Sequence, residues 1–366
     1  MPCRLLRTIA LPLFFVVAGG SNASGQSLRQ LSDRTGVLIG TAVRPEQLSE
    51  AAYSSTLARE FNLVEAEDAM KWWVVRPDAQ TFDFRQGDQL VAFARAHGMK
   101  VRGHTLVWGR SNPPWLTERH FTREQLSALL QEHIRKIVTH YRGQVFAWDV
   151  VNEAFDEHGW LRTSIWHDQP GIGSRVGSTA YIEQAFRWAH TADPAALLFY
   201  NDAEGETVNV KSDAIYLMVK DFKQRGVPIN GVGLQMHVFD LSPDIEGIDA
   251  NIARFTALGM QVHITELDVA LPTNADGSVR DGADLGKQAE IYRKIALACL
   301  RHPGCTAIQT WGFTDKYSWI RSTTKGSKGA ALLFDSGYLA KPVYLALKSA
   351  LASRAQHPVT ARAPAQ

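Results

Sequence analysis

The chain predicts an α/β fold, a (β/α)₈ TIM barrel built as a single domain, on three observations. Short runs rich in Val, Ile, Leu and aromatics alternate with segments of helical spacing through nearly the whole chain, and eight such runs can be counted. No phosphate-binding glycine turn follows the first run, which disfavours an open doubly wound sheet. The 366 residues, with 45% apolar, 10% aromatic and 21% charged content, suffice for one large core, and α/β barrels reach this length as one domain.

The strand-like runs, in order, are Gly36 to Val43, Asn62 to Glu67, Lys100 to Trp108, Val145 to Glu153, Leu197 to Asp202, Val232 to His237, Gln261 to Val269 and Ala307 to Phe313. Helical spacing is clearest from Phe121 to Tyr141, where Leu126, Leu129, Leu130, His133, Ile134 and Ile137 line one face. Thr122 followed by Gln125 supplies a capping box at its start. Similar patterns cover Tyr181 to His190, Asp213 to Lys223, Ile248 to Leu258, Gly286 to Leu300 and Lys341 to Leu351.

Residues 1 to 25 read as a secretory signal. Arg4 and Arg7 form a basic start, Ile9 to Val17 an apolar run, and Ser21-Asn22-Ala23 a small-residue cleavage site. Leu5 to Ala18 is too short to span a bilayer, so the mature chain is expected to be secreted, extracellular or periplasmic, with no membrane association after cleavage. The barrel domain is expected over residues 28 to 352, without an internal linker, followed by a disordered tail over 353 to 366, where large apolar side chains are few. A net charge of +2 with both signs interspersed argues against a nucleic-acid partner. A monomer is expected.

Of the three cysteines Cys3 falls in the signal, leaving Cys299 and Cys305. An even count in an oxidising compartment favours one bridge between them, and Pro303-Gly304 can turn the chain back; two free buried thiols are the alternative.

A barrel of this kind carries its chemistry at the C-terminal ends of its strands. Those ends bring Glu67, Asp68 and Lys71, then His104 and Trp108, Asn152 and Glu153, Asn201 and Asp202, Gln235 and His237, Glu266 and Asp268, and last Trp311, Asp315 and Trp319. Two carboxylates among amide and imidazole donors and tryptophans form the set that glycoside hydrolysis requires. One carboxyl gives a proton to the leaving oxygen while the other, ionised, attacks or activates water. Tryptophan faces stack on sugar rings. Apolar neighbours Trp148 and Phe155 favour Glu153 as the proton donor, whereas Glu266 lies near Thr265 and Asp268.

Other motifs carry less. Asn274-Ala-Asp276-Gly277-Ser278 resembles a calcium loop but lacks the downstream Glu, and reads as a turn. Gly171 to Gly177 does not match the dinucleotide fingerprint. His133 and His140 lack the further ligands of a zinc site, and no Gly-x-Ser-x-Gly elbow occurs. No cofactor or metal is expected.

Four segments resemble the strand-end motifs of family 10 glycoside hydrolases, the endo-β-1,4-xylanases: Val101-Arg-Gly-His-Thr-Leu-Val-Trp108, Trp148-Asp-Val-Val-Asn-Glu153, Ile264-Thr-Glu-Leu-Asp268 and Trp311-Gly-Phe-Thr-Asp-Lys-Tyr-Ser-Trp319. They stand in the family's order, and the resemblance covers about residues 30 to 352. It implies a barrel that hydrolyses xylan and xylo-oligosaccharides with retention. Glu153 would be the general acid/base and Glu266 the nucleophile, about 5 to 5.5 Å apart. Asn152 would hydrogen-bond the sugar 2-hydroxyl, and His237 would hold Glu266 ionised with Asp268 behind it. Glu67, Lys71, His104, Trp108, Gln235, Trp311 and Trp319 would line the sugar subsites.

The chain also departs from the family pattern. Gly109 and Ser111 stand where His and Gln are common, Ala203 where an aromatic often follows Asn-Asp, and Asp68 where the family has Asn. These changes touch sugar contacts and not the reaction centre, and Ala203 implies weaker binding on the leaving-group side. A barrel glycosidase acting on another β-1,4-glucan is the competing enzyme reading. A non-catalytic carbohydrate-binding barrel is disfavoured because both glutamates are present.

Overall fold

Apolar runs that do not alternate need cover on both faces, which a parallel sheet wrapped by helices provides. The structure, a computed structural model, describes residues 25–168, 171–172 and 178–356. Its eight strands are β1 (Leu38–Val43), β2 (Leu63–Ala66), β3 (Lys100–Gly103), β4 (Ala147–Asn152), β5 (Leu197–Asp202), β6 (Gly231–Leu234), β7 (Gln261–Val269) and β8 (Cys305–Thr310). All pair in parallel with their sequence neighbours. Leu38 against Ala307 joins β1 to β8 and closes the barrel. Every residue of β2 and β4 is buried, as a barrel wall packed on both sides requires.

Each strand is followed by a helix: α1 (Ala51–Glu60), α2 (Arg85–Ala96), α3 (Arg123–His140), α4 (Ala180–Ala192), α5 (Val210–Gln224), α6 (Ile245–Ala257), α7 (Asp284–Arg301) and α8 (Pro342–Gln356). A further helix, Leu28–Thr35, precedes β1. In α3 the predicted capping box forms, with Thr122 accepting from the Gln125 amide, and Leu126, Leu130, Ile134 and Ile137 turn inward. His133 is buried on the same face and stacks on Trp72 at 3.5 Å between centroids; burial holds it neutral.

Two predicted strands are broken. Lys100 to Trp108 divides into β3 and a short segment, Val107–Trp108, both beside β4. Val232 to His237 likewise divides, and His237–Val238 pairs with the end of β7. The second break is what turns His237 toward Glu266 and Asp268. The C-terminal boundary also moves: α8 continues four residues past 352, to Gln356. Ala350 and Leu351 still pack on the core, and the strong helix formers after them prolong the helix. The secretory signal read in residues 1 to 25, apart from Gly25, and the tail beyond Gln356 lie outside the described residues.

Cys299 and Cys305 form a disulfide, their Cα atoms 5.3 Å apart, which ties the end of α7 to the start of β8. Cys305 opens its strand, so the bridge lies at the end of the barrel opposite the strand termini. Replacing both cysteines by Ala is expected to cost about 2 kcal/mol by the loop-closure relation for so short a loop. Denaturant unfolding would show that loss, while the fold at the opposite, C-terminal end of the strands stays unchanged.

Candidate active site

Chemistry at the C-terminal end of a parallel barrel starts with how the last residue of each strand leaves the sheet. Glu153, Glu204 and Met236, which follow β4, β5 and β6, adopt left-handed φ values of 52°, 58° and 69°. Such conformations cost on the order of 1–3 kcal/mol each in side-chain-bearing residues and cluster at functional sites. At Glu153 the turn swings the carboxyl into a cleft of about 460 Å³.

That cleft collects Glu67, Lys71, His104, Trp108, Asn152, Glu153, Gln235, His237, Glu266, Trp311 and Trp319. Of the predicted site residues only Asp268 is set behind it, buried below His237. The residues come from six of the eight strand ends, so only closure of the barrel brings them together.

Glu266 is fixed from two sides. Its Oε1 accepts from Asn201 Nδ2 at 2.8 Å, and its Oε2 lies 3.2 Å from His237 Nε2. His237 Nδ1 is in turn 3.1 Å from Asp268 Oδ2, which also accepts from Trp319 Nε1 at 2.8 Å. Burial by itself would neutralise this imidazole, but the Asp268 charge and the contacts with both carboxylates outweigh it and hold His237 well above its ordinary value of 6.5. Burial likewise pushes Glu266 upward, and the hydrogen bond and charge of His237 more than reverse that, leaving the carboxyl below 4.5. The side chain is 5% exposed and ionised.

Glu153 is more open, with 15% of its side chain exposed. Its Oε1 accepts from Gln235 Nε2 at 3.1 Å and Asn152 Nδ2 at 3.4 Å, and its Oε2 from Trp108 Nε1 at 3.2 Å. Behind it, the Ala154 amide donates to the Tyr200 hydroxyl, which donates to Asp202, and Asp202 pairs with Lys211 at 2.8 Å. Asn201 Nδ2 also donates to Asn152 Oδ1 at 2.9 Å, so one amide bridges the supports of both glutamates. Glycine at 233 makes this possible, because a Cβ there would fall 2.2 Å from Asn201 Oδ1.

On the opposite side, Lys71 Nζ donates to Asp68 at 2.9 Å and sits over the rings of Trp108 and Trp311 at 5.1 and 5.6 Å. Arg44 Nε donates to Glu67 at 2.8 Å. The result is a trough with aromatic walls and charged hydrogen-bonding groups along one edge, suited to an extended polyhydroxylated chain.

Residues 27–350 match the profile described as Glycosyl hydrolase family 10. The chain belongs to this family. It is 42% identical over 324 residues to endo-1,4-beta-xylanase B of Thermotoga neapolitana, covering 88% of this chain and 90% of that protein. Its fold superposes on native xylanase 10B of Thermotoga maritima with a TM-score of 0.84 at 41% identity, over 90% of this chain and 99% of the other. Xylanase 10B of Thermotoga petrophila, solved with xylobiose, gives a TM-score of 0.84 at 41% identity, over 90% and 98% of the two chains.

The family 10 cleft of this chain rests on a charged layer that the motif reading left without a role. Glu65, Arg102 and Asp149 have side chains with 0% exposure inside the barrel. Arg102 forks onto both oxygens of Asp149, and His104 Nδ1 lies 3.0 Å from Asp149 Oδ2. Burial raises Asp149, but Arg102 and His104 dominate and bring it down to about 2. Burial and the neighbouring Asp149 charge push Glu65 well above the carboxylate range, against the pull of Arg102. Ligand atoms of Glu65, His104 and Glu266 lie within 4.8 Å of one another, the one such group among the described residues. Arg102, 3.8 Å from Glu65, and His237, 3.2 Å from Glu266, already place positive charge beside it. Arg102 and Asp149 were findable in the sequence as charges inside apolar strands, which must be paired. Asn201, visible there as a strand-end residue, gave no sign that it bridges the two glutamates.

In this family 10 chain the acid side of the pH profile follows from the Glu266 shift. A carboxyl held below its ordinary value adds stability and activity above about pH 4.5, and both are lost as pH falls through the folded value. In His237→Gln, burial acts on Glu266 without the opposing cation. The acid limb of kcat/KM is therefore expected to move to higher pH, with kcat reduced by about 10- to 100-fold. An unmoved limb would mean that another group sets it.

Proposed function

We propose that the protein is a secreted, retaining endo-β-1,4-xylanase that cuts internal bonds of xylan by double displacement, working as a monomer on xylan and xylo-oligosaccharides. The observation that carries this reading is the 3.2 Å contact of His237 with Glu266, inside the cleft that also holds Glu153. It marks Glu266 as the carboxyl kept ionised, which leaves the proton-donor role to Glu153. The likeness to the Thermotoga xylanases supports the substrate class. The leader read in residues 1 to 25 supports export, and the strand-helix alternation supports one catalytic unit.

In the first step Glu266 attacks the anomeric carbon while Glu153 passes its proton to the departing glycosidic oxygen. The bond to that oxygen breaks as the bond to Glu266 forms, giving a glycosyl ester and a shortened chain. The ester carries no charge, so ionised Glu153 is no longer opposed by a second carboxylate. It then takes a proton from water, whose oxygen displaces Glu266. Asn152 supports the sugar 2-hydroxyl, a contact that strengthens as positive charge develops on the ring. Asp268 and Trp319 hold His237 in register.

Release of reducing sugar from xylan, followed by proton NMR of the first-formed product, tests the reading. A β-anomer is expected, and an α-anomer would overturn the role of Glu266. The competing glucanase reading turns on whether the cleft admits the hydroxymethyl group that xylose lacks. We assign its exclusion to Trp319, which is locked by its bond to Asp268. Trp319→Ala is expected to raise the ratio of carboxymethyl-cellulose to xylan hydrolysis by about tenfold. An unchanged ratio would remove Trp319 from that role.

A further inference from the structure

Beside Glu153 the cleft adjoins a second cavity of about 420 Å³, roomy enough for a sugar ring. Arg110 and Arg162 line both spaces and so stand at their junction. Neither has the partners that a guanidinium next to a protein interior ordinarily finds. Arg110 is 63% exposed, and its ion pair with Glu153 is a loose 3.8 Å approach. Arg162 makes no side-chain hydrogen bond or ion pair among the described residues, and its Nε is shut off from solvent without an acceptor. Its backbone is anchored all the same, since its amide donates to the Ala154 carbonyl at 2.8 Å and Leu161 bridges to Phe155.

The acids nearby do not neutralise the pair. Asp156 is turned onto its own loop, where Oδ1 accepts from the amides of His158 and Trp160 at 3.0 and 2.9 Å. Glu157 is exposed and faces His158 at 3.8 Å. A buried donor without an acceptor is costly, and a planar fork of donors matches a carboxylate above other partners. Gly109 lines the second cavity, where a Cβ would already press on Ser164 at 3.1 Å.

We propose that Arg110 and Arg162 form an anion subsite on the leaving-group side of the cleft that takes the carboxylate of a uronic-acid substituent on the xylan backbone. The side follows from Glu153, the group that protonates the leaving oxygen, and in this the inference rests on the xylanase reading. The enzyme then selects acidic xylan by charge and does not merely tolerate its branches.

Three matched sets of xylo-oligosaccharides test it: unsubstituted, bearing one uronic acid at each backbone position in turn, and the same with the carboxyl reduced to an alcohol. kcat/KM is measured on each for the wild type, Arg110→Gln, Arg162→Gln and Arg162→Lys. In both Gln variants the ratio of uronate-bearing to unsubstituted substrate is expected to fall roughly tenfold for the best-placed substituent. The reduced substrates show no such fall, and Arg162→Lys recovers part of the preference. Equal losses on all three sets would assign the arginines to backbone binding and overturn the proposal, as would an unchanged ratio. Should Arg162→Gln fail to fold, Arg110→Gln on its exposed side chain carries the same test. A wild type inactive on unsubstituted oligosaccharides would instead sink the xylanase reading, whereas activity without charge preference sinks this inference alone.

Discussion

Glu266→Ala is expected to abolish xylan hydrolysis, with kcat falling on the order of 10⁵-fold, because the ionised carboxylate held between Asn201 and His237 is the group placed to attack the anomeric carbon. Glu65 is close but lies fully buried beneath the cleft, where burial and Asp149 push its carboxyl upward. His237 keeps its 3.1 Å contact with Asp268 in the variant, so the site should not collapse around an orphaned cation. The space left by the carboxylate can admit a small anion such as azide. Attack by azide from that face displaces an activated phenol once, so the product is the α-glycosyl azide, of inverted configuration. Normal turnover in the variant, or a β-azide product, would rule Glu266 out as the nucleophile.

Glu153→Ala is expected to behave in the opposite way. On xylan, whose leaving group needs a proton, kcat/KM should fall by about 10² to 10⁴. On an aryl xylobioside with an acidic phenol the first step should be nearly unaffected, since that group departs without help. The second step, which needs a base, then becomes limiting, so the glycosyl ester accumulates and a burst of phenol appears. Azide now attacks the ester from the side vacated by Glu153, and the product is the β-azide, with configuration retained. The strain of a left-handed residue at position 153, at φ 52°, is the same for Ala as for Glu, so loss of folding is not expected to mask the result. Equal losses on xylan and on the activated substrate would deny Glu153 its acid role. The two variants thus give azides of opposite configuration, an outcome that a purely structural function for either residue would not produce.

Much of this was legible before any coordinate. Leu197 to Asp202 and Gln261 to Val269 are strands at the expected limits because apolar β-branched and aromatic runs, closed by turn residues, have no better use than a buried sheet. Thr122 and Gln125 announced the start of α3 because a capping box is local chemistry. The strand breaks after Gly103 and Leu234 were not legible. Their sequences remain apolar, and what interrupts the ladder is the turning of His104 and His237 toward partners on other strands, Asp149 and Asp268.

The same division runs through the site. Its residue types followed from the chain, since carboxylates, amides and tryptophans at successive strand ends have a common address once a barrel is assumed. Which of them touch did not follow. Asn201 bridges Asn152 and Glu266, Trp108 donates to Glu153 as well as lining the trough, and Trp319 locks Asp268. Nor did the sequence reveal that Arg162 finds no side-chain partner among the described residues, a state that exists only relative to a cavity.

By itself, then, the order of amino acids determined the barrel, its eight-fold alternation and the strand-end positions of Glu153 and Glu266, because periodicity and strand-end position are properties of a single segment. The tertiary structure alone decided the ionisation of Glu266, by placing His237 and Asn201 on its two oxygens against the cost of burial. Burial and charge act through space across neighbouring strands, between residues such as His237 and Glu266, and no local pattern encodes that distance.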